Sequence, residues 1–186
     1  MTRNTVVSEK KDHPILRGVP DTMFNHAGGY VGQPDDTFNV LTQTIPLIDF
    51  NPESEPDPKK ELQASSWTRH YTAKNGTKAR VFHSTQGASQ DILDDGYRRM
   101  LVNAILWSLE MEEQIKPDLN VSFVGPYQPS KFSFGGEVKG VKPLDLSGFE
   151  SPIMPERPDE DKAAAKPVRN KARVKRAITK PKISAP

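Results

Sequence analysis

Few side chains in this 186-residue chain could carry chemistry, and their types narrow the options. There is no cysteine, which excludes disulfides, thiolate nucleophiles and cysteine-ligated zinc. Catalysis by a serine or threonine needs a base within hydrogen-bond reach, and no Gly-x-Ser-x-Gly elbow occurs. The four histidines, His13, His26, His70 and His83, lack the i, i+4 spacing that brings two imidazoles to one helix face for a metal. Neither a metal nor another cofactor is expected. Asp35-Asp36, between Pro34 and Thr37, reads as a turn rather than a cation site. The richest polar run is Gln86-Gly87-Ala88-Ser89-Gln90-Asp91. It leads from a strand toward a helix, and ligands of open α/β sheets bind outside the carboxyl ends of strands. The amide, hydroxyl and carboxylate groups of Gln86, Ser89, Gln90 and Asp91, around Gly87, suit sugar hydroxyls. The commoner role for Ser89 or Asp91 is to cap the helical turn that follows. His83, flanked by Phe82 and Ser84, is a further ligand candidate, although a lone strand histidine is more often packed and hydrogen-bonded.

The elements that must position these residues lie mostly between Ser65 and Met111. Ser66-Trp67-Thr68-Arg69-His70-Tyr71 alternates with Trp67, Arg69 and Tyr71 on one face, and Ala79-Arg80-Val81-Phe82-His83-Ser84 is a second β-rich run. Between them, Asn75-Gly76 predicts a type I′ hairpin turn. From about Asp94 to Met111 apolar residues recur at helical spacing, and the stripe Leu101, Ile105 and Leu109 is expected to pack on the sheet. Asp94 and Asp95 complement the dipole of the first turn. Phe38 to Thr44 reads as another strand, and the proline-broken stretch 51–60 as a surface loop. His13-Pro14 fixes an extended chain direction. Residues from about 117 to 149, with Gly and Pro every few positions, are expected to form an extended arm on the body. One helix covers only one face of a sheet, so residues 1–149 read as part of a larger α/β domain.

Charge divides the chain. Residues 162–186 carry nine Lys and Arg and no Asp or Glu, leaving 17 basic against 24 acidic side chains over 1–161, a net of −7. An acidic body with a basic tail is a two-part molecule. Residues 150–186, a Pro-containing linker and the tail, are expected to be disordered. Lys166, Arg169, Lys171, Arg173, Lys175 and Arg176 would contact a polyanion through counterion release, sequence-blind because no aromatic is present to stack on bases. No run of 18 apolar residues exists, so no membrane-spanning helix is expected. The start, Met-Thr-Arg-Asn-Thr-Val-Val, has no signal-peptide core, which makes the cytoplasm the default location, although a longer parent protein could be exported.

Four segments together resemble the C-terminal half of the trehalose-utilisation (ThuA-like) family. They are His13-Pro14-Ile15-Leu16-Arg17-Gly18-Val19, Trp67-Thr68-Arg69-His70-Tyr71, the run Arg80 to Asp91, and the run Gly96 to Trp107. The tract Asn120 to Tyr127 with Phe132-Ser133-Phe134-Gly135-Gly136 is similar to the extension of a bacterial branch, and coverage is roughly residues 10–145. The resemblance implies a class I glutamine amidotransferase-like fold, a flavodoxin-like sandwich around a mostly parallel sheet, here incomplete because the N-terminal strands would be missing. It also implies a role in carbohydrate utilisation, with a sugar or sugar derivative as ligand. Members commonly place a histidine after the glycine that stands here as Gly87, but this chain has Ala88. Catalysis by this chain is therefore not expected. The alternative is a non-catalytic interaction module with a polycationic, nucleic-acid-binding tail.

Overall fold

The computed structural model describes residues 1–125, Tyr127 and Pro129. Among these residues are five strands, β1 (Thr2–Val6), β2 (Thr22–Asn25), β3 (Asn39–Pro46), β4 (Gln63–Thr72) and β5 (Lys78–Ser84), with one α-helix, α1 (Asp95–Ser108). They form one sheet in the order β2-β1-β3-β4-β5, and every neighbouring pair is antiparallel. The mixed α/β class is therefore present, with the expected hairpin and main helix. The mostly parallel sheet implied by the family resemblance is not found among the described residues. The polyanion candidates Lys166, Arg169, Lys171, Arg173, Lys175 and Arg176, and the linker from residue 150, lie outside those residues.

The hairpin corrects one expectation. Positive φ occurs at Gly76 (85°) but not at Asn75, so the turn is not type I′. Gly76 N–H donates to the Ala73 carbonyl at 2.9 Å, and Ala73 N–H donates to Thr77 at 2.8 Å. Lys74, Asn75 and Gly76 thus make a three-residue loop whose last residue takes the left-handed conformation open to glycine. The Asn75 side chain still acts, accepting from Thr77 N–H at 3.1 Å.

The helix corrects another. Its buried positions are Gly96, Tyr97, Met100, Asn103, Ala104 and Trp107, a stripe at period 3.6. Ile105 and Leu109 are 60% and 62% exposed. The rotation is set at two points. Asp94 caps the helix by accepting from Tyr97 N–H at 2.8 Å, and its other oxygen accepts from Phe24 N–H of β2 at 3.1 Å. Farther along, the buried Asn103 amide donates to the carbonyls of Ile15 (3.0 Å) and Arg17 (2.9 Å), clamping α1 onto the His13-Pro14 segment. The core then gathers Val6, Ile15, Leu16, Met23 and Leu41 against Tyr97, Met100 and Trp107.

Between Pro117 and Gly125 the chain runs back along α1 without regular structure. Arg99 donates to the carbonyls of Pro117 and Leu119, and Arg98 donates to that of Val121. The Arg98 guanidinium lies 4.4 Å over the Phe123 ring, which stacks on Tyr127.

His13 begins a short 3-10 turn, Pro14–Leu16, by accepting from Ile15 N–H at its Nδ1, 3.2 Å away. Partial burial holds the imidazole below its ordinary value of 6.5; the Lys10 and Arg80 cations push the same way, and Glu112 opposes them. The folded state therefore favours the neutral ring, which is also the form that can accept the capping hydrogen bond. This contribution to stability is complete above the unfolded value and is lost as pH falls below it. The urea midpoint should fall between about pH 7 and pH 5 more steeply in wild type than in His13→Asn, because the Asn oxygen caps without titrating. Parallel pH profiles would remove His13 as the cause.

Candidate functional site

β5 ends at Ser84, and Thr85 to Ala88 leads into a 3-10 turn, Ser89–Leu93. Asp91 organises this end of the molecule. It is fully buried, and its carboxylate accepts four backbone amides. Oδ1 takes His26 N–H (2.7 Å) and Ala27 N–H (3.3 Å), while Oδ2 takes Gly87 N–H (3.1 Å) and Ala88 N–H (3.0 Å). The chain leaving β2 is thereby pinned to the chain leaving β5. Asp91 is thus corrected from ligand contact to a loop anchor, because its carboxylate already spends its acceptor sites on four backbone donors.

Gln86 lies immediately beside this anchor. It is 7% exposed, and neither its Oε1 nor its Nε2 has a hydrogen-bond partner among the described residues. Asn25, the last residue of β2, is fully buried with both amide atoms in the same condition. Each such group costs about 1–3 kcal/mol when desolvated without a partner. Two uncompensated amides, one on each side of the Asp91 clamp, mark a place where stability has been given up.

A layer of buried polar side chains continues from them across the sheet. Thr2, opposite Asn25 in the β1–β2 register, donates to the Ala27 carbonyl at 3.3 Å. Two register shifts in the β3–β4 pairing displace Leu41 and Ser65, so that Thr42, Ser65 and Ser66 cluster together. Thr42 lies 2.8 Å from the Ser65 hydroxyl and 2.5 Å from that of Ser66. Ser65 donates to Asn4 Oδ1 at 2.7 Å. Asn4 Nδ2 has no partner among the described residues. Tyr97 borders the layer, its phenol 3.1 Å from the Ser84 hydroxyl. Burial pushes that phenol up to about 12, so it stays protonated and serves as a hydrogen-bonding group, not a base.

The remaining candidates divide. Gly87 and Ser89 are exposed on the loop and Gln90 is half-buried; the Ser89 carbonyl accepts from Tyr127 Oη at 2.9 Å. His83 is not part of the cluster. Ser84 meets Tyr97 on the helix side, so its neighbour projects to the other face. There the His83 ring stacks on its cross-strand partner Trp67, with centroids 4.3 Å apart and planes 18° apart. Asp35 is a turn residue, accepting from the Thr37 amide and hydroxyl. These two bonds hold its carboxyl below the usual range.

Asn25, Asn4 and Thr2 were not legible as site residues, although Thr2-x-Asn4-x-Val6 and Met23-x-Asn25 carry a period-two pattern in which a polar residue takes a core-facing turn. Among the described residues no group of three or more His, Asp or Glu could hold a metal ion, and no helix is long and apolar enough to cross a membrane. The arrangement offers amides and hydroxyls that donate and accept, with Ala88 contributing only a methyl group. No protein-family model, curated protein or solved structure matches the chain.

Proposed function

We propose that the chain binds a sugar or sugar derivative, as the C-terminal part of a ThuA-like domain with the flavodoxin-like architecture of that family, and that it catalyses no reaction itself. The antiparallel sheet is, in this reading, the portion of the sandwich carried by this chain. The observation that supports binding is the pair of buried, unpartnered amides, Asn25 and Gln86, beside the loop from Gln86 to Asp91. A sugar hydroxyl both donates and accepts, which is what a primary amide requires. Ala88, in place of an imidazole, supports binding without catalysis.

The test separates binding from folding. Asn25→Leu and Gln86→Met replace an unsatisfied amide by an apolar group of similar size, a change that is neutral or stabilising for the fold. Both variants should keep or raise the urea midpoint. In calorimetric titrations with trehalose and glucose, they should bind about tenfold more weakly than wild type, the effect of about 1.4 kcal/mol. Equal affinities would take the two amides out of the site. Absence of heat from wild type would favour the interaction-module alternative, for which Ala88 also speaks, and salt-sensitive retention of duplex DNA dependent on residues 162–186 would support it.

A further inference from the structure

We infer that the cleft beside Gly29 is a second contact surface for the same ligand, in which Tyr30 stacks on one neutral polyhydroxy ring. This rests on the sugar-binding reading above. The cleft has a volume of about 180 Å3 and is lined by Thr2, Gly29, Tyr30, Thr44, Glu61 and Gln63, among others.

The lining selects the class of ligand. Tyr30 is 82% exposed, presenting an apolar ring face and a hydroxyl together. Thr2 and Thr44 already donate their protons to backbone carbonyls, Thr2 to Ala27 at 3.3 Å and Thr44 to Arg3 at 3.2 Å. Their oxygens therefore meet a ligand as acceptors. Glu61 accepts as well, and Gln63 both donates and accepts. A polyol has protons to give to such a set. An anion has none, and Lys60 is the only cation lining the cleft.

Gly29 joins the cleft to the buried amide. A Cβ at this position would lie 2.9 Å from Gln86 Nε2 and 3.1 Å from Thr85 Oγ1, so the backbone here runs directly against the end of the Gln86 side chain. Gly29 thus lines the cleft beside Tyr30 and lies against the uncompensated Gln86 amide.

The experiment uses the full chain with glucose as probe, followed by saturation-transfer NMR and calorimetry. Tyr30→Ala should weaken glucose binding about tenfold, the loss of roughly 60 Å2 of apolar contact at the usual transfer coefficient, and should leave the urea midpoint unchanged because the side chain is exposed. Tyr30→Trp should restore binding, since the aromatic face is retained. Saturation of the Tyr30 ring should transfer to the ring protons of glucose. If Tyr30→Ala binds as wild type while Gln86→Met is impaired, the cleft is not part of the site and the sugar-binding reading stands. If Tyr30→Ala is impaired and Gln86→Met is not, the cleft holds the ligand and the buried amides do not. Wild type that binds neither glucose nor trehalose overturns the reading, and the cleft assignment with it.

Discussion

Asp91→Ala is expected to destabilise the protein by about 3–5 kcal/mol, a drop of about 10 °C in Tm for a chain of this size. The magnitude follows from the four backbone donors that converge on one fully buried carboxylate. A hydrogen bond to a charged group contributes about 1.5–3 kcal/mol, and a buried donor left unpaired costs a comparable amount. Water entering the vacated space recovers part of that loss, which places the total below a simple sum of four. Asp91→Asn should be intermediate. Its carbonyl oxygen can keep one pair of amides, but its NH2 would face the other pair, donor against donor. The effect should also be local in kind. His26, Ala27, Gly87 and Ala88 should lose amide-exchange protection in the variants before strands β3 to β5 do, since the Asp91 carboxylate is what joins the 26–27 segment to the 87–88 segment. Urea midpoints of both variants within experimental error of wild type would show that the loops hold together without the carboxylate.

The sequence carried the hairpin and the helix openly, because both depend on local rules: alternation around an Asn-Gly pair, and apolar recurrence after an acidic cap. It hid β1 and β2 for a specific reason. Their core-facing positions include Thr2, Asn4 and Asn25, so the apolar alternation that announces a half-buried strand is missing. The same substitution of polar for apolar concealed half of the candidate site. Gln86 stands in a polar loop and could be singled out, whereas Asn25 gains meaning only when Asp91 brings residues 26–27 against residues 87–88. The pair Asn75-Gly76 does not by itself fix the turn type, because it fits two loops, and the choice between them is made by how the flanking strands pair. Thr72 pairs with Lys78, leaving five residues between them.

The helix orientation provides the second large effect. Leu101, Ile105 and Leu109 form the more apolar-looking stripe, yet only Leu101 packs against the core, and α1 is turned to bury Tyr97, Met100, Ala104 and Trp107. Asn103 contributes to this choice, since the carbonyls of Ile15 and Arg17 meet its buried amide donors only when it faces inward. Trp107→Ala should therefore cost about 3–5 kcal/mol, the range for deleting a buried large aromatic. Trp107 is 6% exposed. Its ring contacts His13 (5.5 Å between centroids) and His70 (6.1 Å), and the Arg80 guanidinium lies 5.2 Å above it. Arg80 also donates to the Trp107 carbonyl and pairs with Glu112, so the loss spreads to the contacts between β5, the end of α1 and the segment after it. Ile105→Asp should cost less than about 1 kcal/mol, chiefly the unfavourable placement of a negative charge in the C-terminal half of a helix. The two variants, denatured with urea side by side, discriminate the orientations: a helix packed through Leu101, Ile105 and Leu109 would reverse their order. Repeating the Ile105→Asp measurement over a range of protein concentrations completes the test. A cost that appears only at high concentration would show that a second copy covers the outer stripe, whereas a small cost throughout assigns that face to solvent.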